Sequence, residues 1–511
     1  MKNKNSLNDL MNDRWDDLKE FFIALAIVFA ARASMIFLLN YSGDDYLMAN
    51  SQVDEFHFWV CQGRFQSYVI DIICELLGAR FPFMGGFWSI FATASYVAYG
   101  LILRRLWAPC SSSLVALSIV LIFSLFPYQS DFITFHECAP STTVSLLLGG
   151  ISLMYCDKGG WKTIICALGL FLAISYPPFV VLFAITILIM GLMRFNDFIK
   201  TKSSSVSLRV LLAPVMFRLG FFVVIVFLSL LINHFVQKFS GIPMQERGEI
   251  ITFKDAPDKA VMFIKQLQFF LLRPEVSFPV AVKLLQLSLL LAVFFGALRQ
   301  MLHSGKKTNQ IIGTMFFISC LVTLAAAATI APYFILKNYS GCMSLRMIAG
   351  FSVFWAGIFS AAWIFNEGKM KAAVLCIGLI VSVSYAFKVN EQSSDFARIN
   401  LRDHLVANRI IERLSLFPGE NKIRTVVFVG NKHLFNLNCI NTETSGFNVS
   451  SLYLDWSNTK LLSEVSSQPF LTPSAEDIKT ATADAKGKPV WPDAQSVYIK
   501  NDIGIVVLGF E

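Results

Sequence analysis

Two adjacent carboxylates, Asp44 and Asp45, follow the first long apolar run of the chain, in the stretch NYSGDDYLMANSQ. A carboxylate held at a membrane surface can accept the proton of a substrate hydroxyl during a reaction. The alternative is a solvated loop that only ends a membrane helix. We predict that the pair is catalytic, with Asp44 as the general base and Asp45 positioning it or the substrate.

A second polar stretch, YQSDFITFHECAPS, contains Asp131, His136 and Glu137. A His–Glu neighbour pair could position a substrate hydroxyl or bind a divalent cation, and ordinary solvated loop polarity is the alternative. No other cofactor is predicted, because the ten cysteines form no C-x-x-C pair that would suggest a structural zinc or redox site.

Cations near the apolar runs could hold an anionic group. Lys337 and Arg346 flank the stretch KNYSGCMSLR, where Arg suits bidentate phosphate binding and Lys acts as a point charge. Anchoring to anionic head groups is the alternative for both. Arg32 lies inside the first apolar run, where a lone charge costs about 2.5–3.5 kcal/mol on insertion scales. It should therefore face the bundle interior and find a structural ion-pair partner or an anionic ligand.

All of these residues lie in or next to long apolar runs, so the helices that the runs form must position them. The chain has 511 residues, of which 55% are hydrophobic and 15% charged, whereas about a quarter of a soluble chain is charged. A bilayer-spanning helix needs about 20 apolar residues. We predict an all-α polytopic membrane protein with about 11 transmembrane helices, near residues 21–40, 83–103, 113–127, 141–155, 161–175, 178–193, 210–232, 277–298, 310–331, 346–365 and 371–388.

Lys and Arg in the short loops predict the orientation. With the N-terminus inside, Arg104, Arg105 and Lys158 are cytoplasmic, while the opposite short loops 128–140 and 176–178 contain no Lys or Arg. We predict a cytoplasmic segment 1–20, a membrane domain 21–388 with a large outer loop 41–82, and an outer C-terminal domain 389–511. The net charge of +8 is explained largely by these orientation signals, and no nucleic-acid partner is predicted.

Three local patterns add detail. Pro177 and Pro178 predict a tight hairpin between two spans, with one long kinked helix as the alternative. The stretch QSYVIDIICELLG predicts an amphipathic helix lying on the membrane, with Ser67 and Asp71 on its polar face; a helix that only packs two spans together is the alternative. In the tail, TVVFVG predicts a buried strand and SVYIKNDIGIVVLGF a β-hairpin that turns at Asn501.

The acidic pair after the first span, followed by FWVCQGRF (residues 58–65), resembles the serotype-converting glucosyltransferases of bacterial O-antigen. These are polytopic proteins similar to the GT-C glycosyltransferases. The resemblance covers about residues 15–390. It implies that Asp44 and Asp45 match the acidic pair of the family and that Arg64 matches its "GR" arginine.

The resemblance further implies the partners and the place of the reaction. The donor would be undecaprenyl-phosphate-glucose and the acceptor a sugar of lipid-linked O-antigen, at the periplasmic face of the bacterial inner membrane. A donor flippase, a donor-synthesising glycosyltransferase and membrane lipids would be further partners. Arg64 or Arg346 would then contact the leaving phosphate, and inversion at the anomeric carbon is implied.

Two other functions fit parts of the sequence. A transporter or flippase of lipid-linked sugars would place its polar residues near the membrane midplane. We predict that Arg32 alone lies that deep, whereas the acidic groups cluster on one outer face. An O-antigen polymerase or ligase would share the substrate and the side of the membrane but would join whole repeats.

Overall fold

The computed structural model describes residues 7–38, 40–49, 54–80, 84–109, 111–200, 208–245, 254, 257–262, 264–265, 278–305, 308–335, 345–417, 423–435 and 449–509. Within these ranges the chain is a helical bundle followed by a small α/β unit, as the composition predicts. The helices are α1 (Leu7–Ala31), α2 (Ala33–Phe37), α3 (Gly43–Ala49), α4 (Glu55–Cys61), α5 (Phe65–Leu76), α6 (Gly85–Trp107), α7 (Ser113–Ser124), α8 (Ser130–Thr134), α9 (Ala139–Tyr155), α10 (Trp161–Ala173), α11 (Pro177–Lys200), α12 (Leu208–Ser240), α13 (Val280–His303), α14 (Thr308–Ile335), α15 (Gly350–Phe365), α16 (Gly368–Ser415), α17 (Asn458–Ser466) and α18 (Ala475–Asp484).

Every predicted apolar segment contains helix, but the segments differ in length. Among the described residues, seven helices are long and apolar enough to cross a membrane, or eight if the pair α7–α8, bent by 51°, is one span. Of the other predicted spans, α10 has 13 residues and α15 has 16, and the first run is divided between α1 and α2. α10 ends at Ala173 and α11 begins at Pro177, so the predicted helix break at the prolines is present. α10 packs mainly on α9 and not along α11, and the tight hairpin stays a prediction.

Close contacts between helices hold the bundle together. α15 is buried almost throughout, and a Cβ added to Gly357 would lie 2.8 Å from the Ile189 side chain of α11. A Cβ on Gly378 of α16 would lie 2.2 Å from the Phe359 ring. Glycine at such positions lets helix backbones approach closely, which increases van der Waals contact where lipid supplies no hydrophobic driving force.

Arg32 separates α1 from α2 and is fully buried, so it faces the bundle interior as predicted. Its Nη2 donates a hydrogen bond to the carbonyl oxygen of Ser124 at 2.6 Å, and the guanidinium lies 5.4 Å from the ring centroid of Tyr96. Within the described part of the chain Arg32 forms no ion pair. The described contacts of Arg32 are therefore a backbone carbonyl and an aromatic ring, instead of the predicted ion-pair partner.

The two ends of the bundle differ in their polar contacts. At one end Arg104 of α6 pairs with Asp17 of α1 at 2.8 Å, and Arg105 pairs with the same carboxylate. At the other end lie α3, α4 and α5. Helix α5 is amphipathic as predicted, but its buried side is mixed: Ser67 and Ile70 are buried, whereas Leu76 and Leu77 are exposed. Most of its large apolar side chains thus point outward.

The tail is attached through α16, a continuous helix of 48 residues and therefore about 70 Å long. The predicted boundary at 388/389 lies inside this helix. The sheet contains β1 (Thr425–Gly430), β2 (Val497–Lys500) and β3 (Ile503–Gly509) in the order β1-β3-β2. β1 is parallel to β3, and β2 and β3 form the predicted antiparallel hairpin, with Asn501 at φ 56° in its turn.

Both faces of the sheet are covered. On one face Val426 and Val506 pack with Ala407 and Ile410 of α16, together with α17 residues. On the other face Val427 and other strand residues pack against Ala481 and Ala485, in and just after α18. Burial on both faces explains why the strands read as continuous apolar runs instead of alternating polar and apolar residues.

Candidate functional site

Asp45 joins two loops on the predicted outer side: the first outer loop, residues 41–82, and residues 128–140, which we call the second outer loop. Its Oδ2 lies 3.1 Å from Nδ1 of His136, and its Oδ1 accepts a hydrogen bond from the backbone N–H of Glu137 at 3.0 Å. The Asp45 side chain is fully buried. Since an ionised carboxylate only accepts hydrogen bonds, Nδ1 of His136 carries the proton when Asp45 is ionised. The opposite ring nitrogen of His136 is then an acceptor.

Asp45 also caps its own helix. The N–H and hydroxyl of Ser42 donate to Asp45 Oδ2 at 2.8 and 2.9 Å, and the Asp45 N–H donates back to Ser42 Oγ at 3.2 Å. This reciprocal Ser-x-x-Asp arrangement is a capping box, which satisfies otherwise unpaired N–H groups at a helix start. Both oxygens of Asp45 are therefore occupied by protein donors, as suits a positioning residue.

Asp44 is in a different environment from its neighbour. Its side chain is half-buried, and Oδ1 accepts a hydrogen bond from Nε1 of Trp456 in the tail at 3.1 Å. The structure shows no other hydrogen bond from a described residue to this carboxylate. Asp44 therefore retains acceptor capacity for a substrate hydroxyl, which Asp45 lacks.

The second outer loop is buried. Asp131, His136 and Glu137 are 1%, 4% and 5% exposed. The alternative of ordinary solvated loop polarity is therefore wrong, because these polar groups are enclosed by protein. His136 and Glu137 lie in a short 3₁₀ turn, His136–Cys138, that leads directly into α9.

Helices α4 and α5 pack over this turn. Trp59 is 1% exposed and packs with Phe135 and Cys138 on either side of the His136–Glu137 pair. Its Nε1 donates a hydrogen bond to Asp71 of α5. Asp71 and Glu137 also line one narrow cleft, together with Met48, Glu55, Cys74, Arg80 and Pro140. The first and second outer loops therefore form one structural unit.

Arg64 lies at the start of α5, on the aromatic side of this unit. Its guanidinium is 3.9 Å from the ring centroid of Tyr176 and 6.0 Å from that of Trp59. Tyr176 lies in the short connection between α10 and α11. Stacking on aromatic faces leaves the donor edge of a guanidinium available for an anion, so Arg64 is held in place without using its ability to bind phosphate.

The tail contacts α3 directly. The Tyr46 hydroxyl is 3.1 Å from Nε2 of His404 on α16, and the backbone N–H of Tyr41 donates to Asn400 Oδ1 at 2.9 Å. Tyr46 belongs to the same apolar cluster as the tail sheet. Sequence reasoning missed Tyr46, His404 and Trp456. The only available signals were single aromatic or His residues, which are uninformative without tertiary contacts.

Burial shifts the acidity of two carboxyl groups at the site. It raises the pKa of Asp45 to about 6, although hydrogen bonds from Glu137 and Ser42 partly oppose the shift. It raises the pKa of Asp71 to about 8, partly opposed by the hydrogen bond from Trp59. Removing a carboxyl group from water disfavours its charged form, which accounts for both directions. Both carboxyl groups therefore keep their protons to a higher pH than an exposed aspartate does.

The remaining predicted site residues are only partly described. Lys337 lies outside the described residues, and for Arg346 the structure describes the backbone alone, in the 3₁₀ turn Leu345–Ile348. Within the described ranges no three His, Cys, Asp or Glu side chains form a group that could hold a metal ion. A divalent cation at His136 and Glu137 stays a prediction.

Comparison with solved structures finds the archaeal oligosaccharyltransferase AglB from Archaeoglobus fulgidus, in complex with an inhibitory peptide and a dolichol-phosphate. The sequence identity is 11% and the TM-score 0.38, over 80% of this chain and 59% of AglB. The chain thus spans less than two thirds of that protein. No protein-family model and no curated protein sequence matches the chain.

Proposed function

We propose that this protein is a membrane glucosyltransferase that moves glucose from undecaprenyl-phosphate-glucose to a sugar of lipid-linked O-antigen, at the periplasmic face of the bacterial inner membrane. A donor-synthesising glycosyltransferase and a donor flippase would supply its substrate. The observation that most supports the proposal is the meeting of α3, the second outer loop and the tail around Asp44 and Asp45. A partly open carboxylate next to a buried one suits proton abstraction at a membrane surface.

The proposed reaction is a single displacement. The acceptor hydroxyl oxygen attacks the anomeric carbon of glucose, the bond from that carbon to the phosphate oxygen breaks, and undecaprenyl phosphate leaves. Asp44 takes the hydroxyl proton, a contribution worth roughly 10²–10⁴-fold in rate. Asp45 holds α3 and the His136 turn in register. Arg64, and Arg346 or Lys337, would offset the charge that develops on the phosphate.

The test expresses the chain in a host that makes the lipid-linked donor and compares the sugar composition of the O-antigen. The wild type should add glucose, whereas Asp44→Asn should not. Asp197→Asn, at the cytoplasmic end of α11 under the predicted orientation, is the matched carboxylate control and should behave like the wild type. Unchanged O-antigen with the wild-type chain in several O-antigen backgrounds would overturn the proposal. Full activity of Asp44→Asn would instead leave Asp45 or Glu137 as the base.

One observation favours a transporter as the second candidate. Nε and Nη1 of buried Arg32 have no hydrogen-bond partner in the described part of the chain, and a buried cation in a membrane bundle marks a substrate path by default. A flippase would lose transport of the lipid-linked sugar in Arg32→Gln and keep it in Asp44→Asn. A polymerase or ligase would change O-antigen length or attachment without adding glucose.

A further inference from the structure

A second cleft opens where the tail meets α3. We call it the tail cleft: its volume is about 330 Å³, and it is lined by Tyr46, Ala49, Lys460, Ser463, Glu464, Ser467, Gln468 and Pro469. The volume lies within the range of small-ligand pockets. Neither Asp44 nor Asp45 lines the tail cleft, and it shares no lining residue with the narrow cleft of Asp71 and Glu137. The tail cleft is therefore a separate feature of the fold.

The wall of the tail cleft has a defined shape. Helix α17 ends at Ser466, and Ser467 takes a left-handed conformation with φ 57°. The chain then turns back, and the backbone N–H of Phe470 donates to Oγ of Ser463 at 2.9 Å. This return places Gln468 and Pro469 beside the last turns of α17. The cleft is therefore bordered by a bonded turn and two helices.

The polar groups of the tail cleft carry opposite charges and mixed hydrogen-bonding roles. Lys460 and Glu464 lie four residues apart on α17, a spacing that brings side chains to the same helix face. Lys460 is buried, with 4% of its surface exposed, and Glu464 is exposed. In the described structure the Glu464 carboxylate and the Gln468 amide take part in no side-chain hydrogen bond. The Glu464 carboxylate and the Gln468 amide can therefore form hydrogen bonds to a ligand without breaking a hydrogen bond within the protein.

This combination selects a class of ligand. An anion such as phosphate would favour a set of donors with net positive charge. A cation, a carboxylate acceptor and an amide placed together instead match groups that both donate and accept hydrogen bonds, as sugar hydroxyls do. The aromatic ring of Tyr46 forms part of the floor, although its hydroxyl is already engaged by His404.

The position of the tail cleft relates it to the acidic pair. Asp44, Tyr46 and Ala49 lie on the same seven-residue helix. At about 1.5 Å rise per residue, the cleft residues are only some 3–8 Å further along the helix axis than Asp44. We propose that the tail cleft binds the saccharide of the acceptor, so that the C-terminal domain helps to select the sugar that is modified. This inference rests on the proposed function.

The test uses the purified full-length chain, undecaprenyl-phosphate-glucose and a lipid-linked O-antigen repeat of varied concentration. Glu464→Gln and Gln468→Ala should each raise the KM for the acceptor about tenfold, with kcat and the slow hydrolysis of the donor without acceptor unchanged. Glu476→Gln, an exposed carboxylate of α18 outside the cleft, is the matched control. Gln468→Trp fills the cleft without removing packed atoms and should raise the acceptor KM further.

A binding measurement separates this inference from the proposed function. Titration calorimetry with the same saccharide released from its lipid should give a Kd that Glu464→Gln weakens about tenfold and Glu476→Gln does not. Saccharide binding that depends on Glu464, without any glucose transfer by the wild type, would overturn the glucosyltransferase proposal and keep the saccharide site. Glucose transfer by the wild type with an unchanged acceptor KM in folded Glu464→Gln and Gln468→Trp would overturn the saccharide site alone.

Discussion

Nδ1 of His136 lies 3.1 Å from Oδ2 of Asp45, although 91 residues separate them in the chain. This contact, with the Glu137 N–H on the other carboxylate oxygen, makes Asp45 the link between two outer loops. The adjacent Asp44 instead contacts the tail through Trp456. Two neighbouring carboxylates are thus tied to two different parts of the fold.

The first prediction concerns the positioning role of Asp45. Asp45→Asn replaces one acceptor oxygen with an amide donor that faces the donors of Ser42 or Glu137, so the variant should lose about 1–3 kcal/mol of stability. The unfolding temperature of the purified protein measures this loss, with size-exclusion chromatography as the readout of the folded fraction after heating. Asp44→Asn should have the unfolding temperature of the wild type. The Asp44 side chain is only half-buried, and the Oδ1 of an asparagine can still accept its one described hydrogen bond, from Trp456. Equal unfolding temperatures for the two variants would contradict the assigned roles.

The second prediction concerns pH and Asp71. Because burial raises the folded-state pKa of Asp71 from its ordinary value of 3.8 to about 8, the folded state binds this proton more tightly than the unfolded chain does. Stability from this group is present at low pH and is lost as the pH rises from about 4 through about 8. In Asp71→Asn the group no longer titrates. The unfolding temperature of the wild type should therefore fall relative to the variant between pH 5 and pH 8, and parallel profiles would refute the assignment.

The third prediction concerns Trp456. Trp456→Phe keeps an aromatic ring but removes the N–H that donates to Asp44. Under the proposed function the transfer rate should fall about tenfold or more, because a misplaced catalytic group reacts more slowly. The loss of stability should be small, because Trp456 is 43% exposed. Trp161→Phe, an exposed tryptophan at the start of α10, is the control. A Trp456→Phe variant with wild-type kcat would show that this contact does not position the base.

The fourth prediction concerns the packing of α3 on the tail. A Cβ at Gly43 would lie 2.5 Å from Leu454 Cδ1 and 3.1 Å from Ser457 Oγ, so Gly43→Ala requires the side chains of Leu454 and Ser457 to move. Overpacking of this kind costs roughly 1–3 kcal/mol, and glucose transfer should fall as Asp44 moves away from Trp456. Gly86→Ala in α6 meets no atom within 4 Å and should leave unfolding temperature and transfer unchanged. The same result for both variants would argue against close packing at Gly43.

Much of the fold could be predicted from local patterns. The apolar runs predicted the positions of the helices, because a bilayer imposes a minimum length on an apolar helix, although three of the runs form short or divided helices. Pro177 and Pro178 predicted the helix break before α11, since proline cannot continue a preceding helix without losing a hydrogen bond. The continuity of α16 across residue 389 was not predicted. The composition changes there while the helical periodicity continues, so hydropathy suggested a boundary that the backbone does not have.

The sequence by itself determined the class of the protein, the helix break at Pro177 and the tail strands, because each follows from patterns within a few turns or strands. Tertiary structure decided which carboxylate is buried, since Asp44 and Asp45 have the same chemistry and differ only by about 100° around a helix. It also decided that Trp456, 412 residues after Asp44, completes the surroundings of the acidic pair. No local pattern contains such a contact, because it arises only when α16 carries the tail back onto α3.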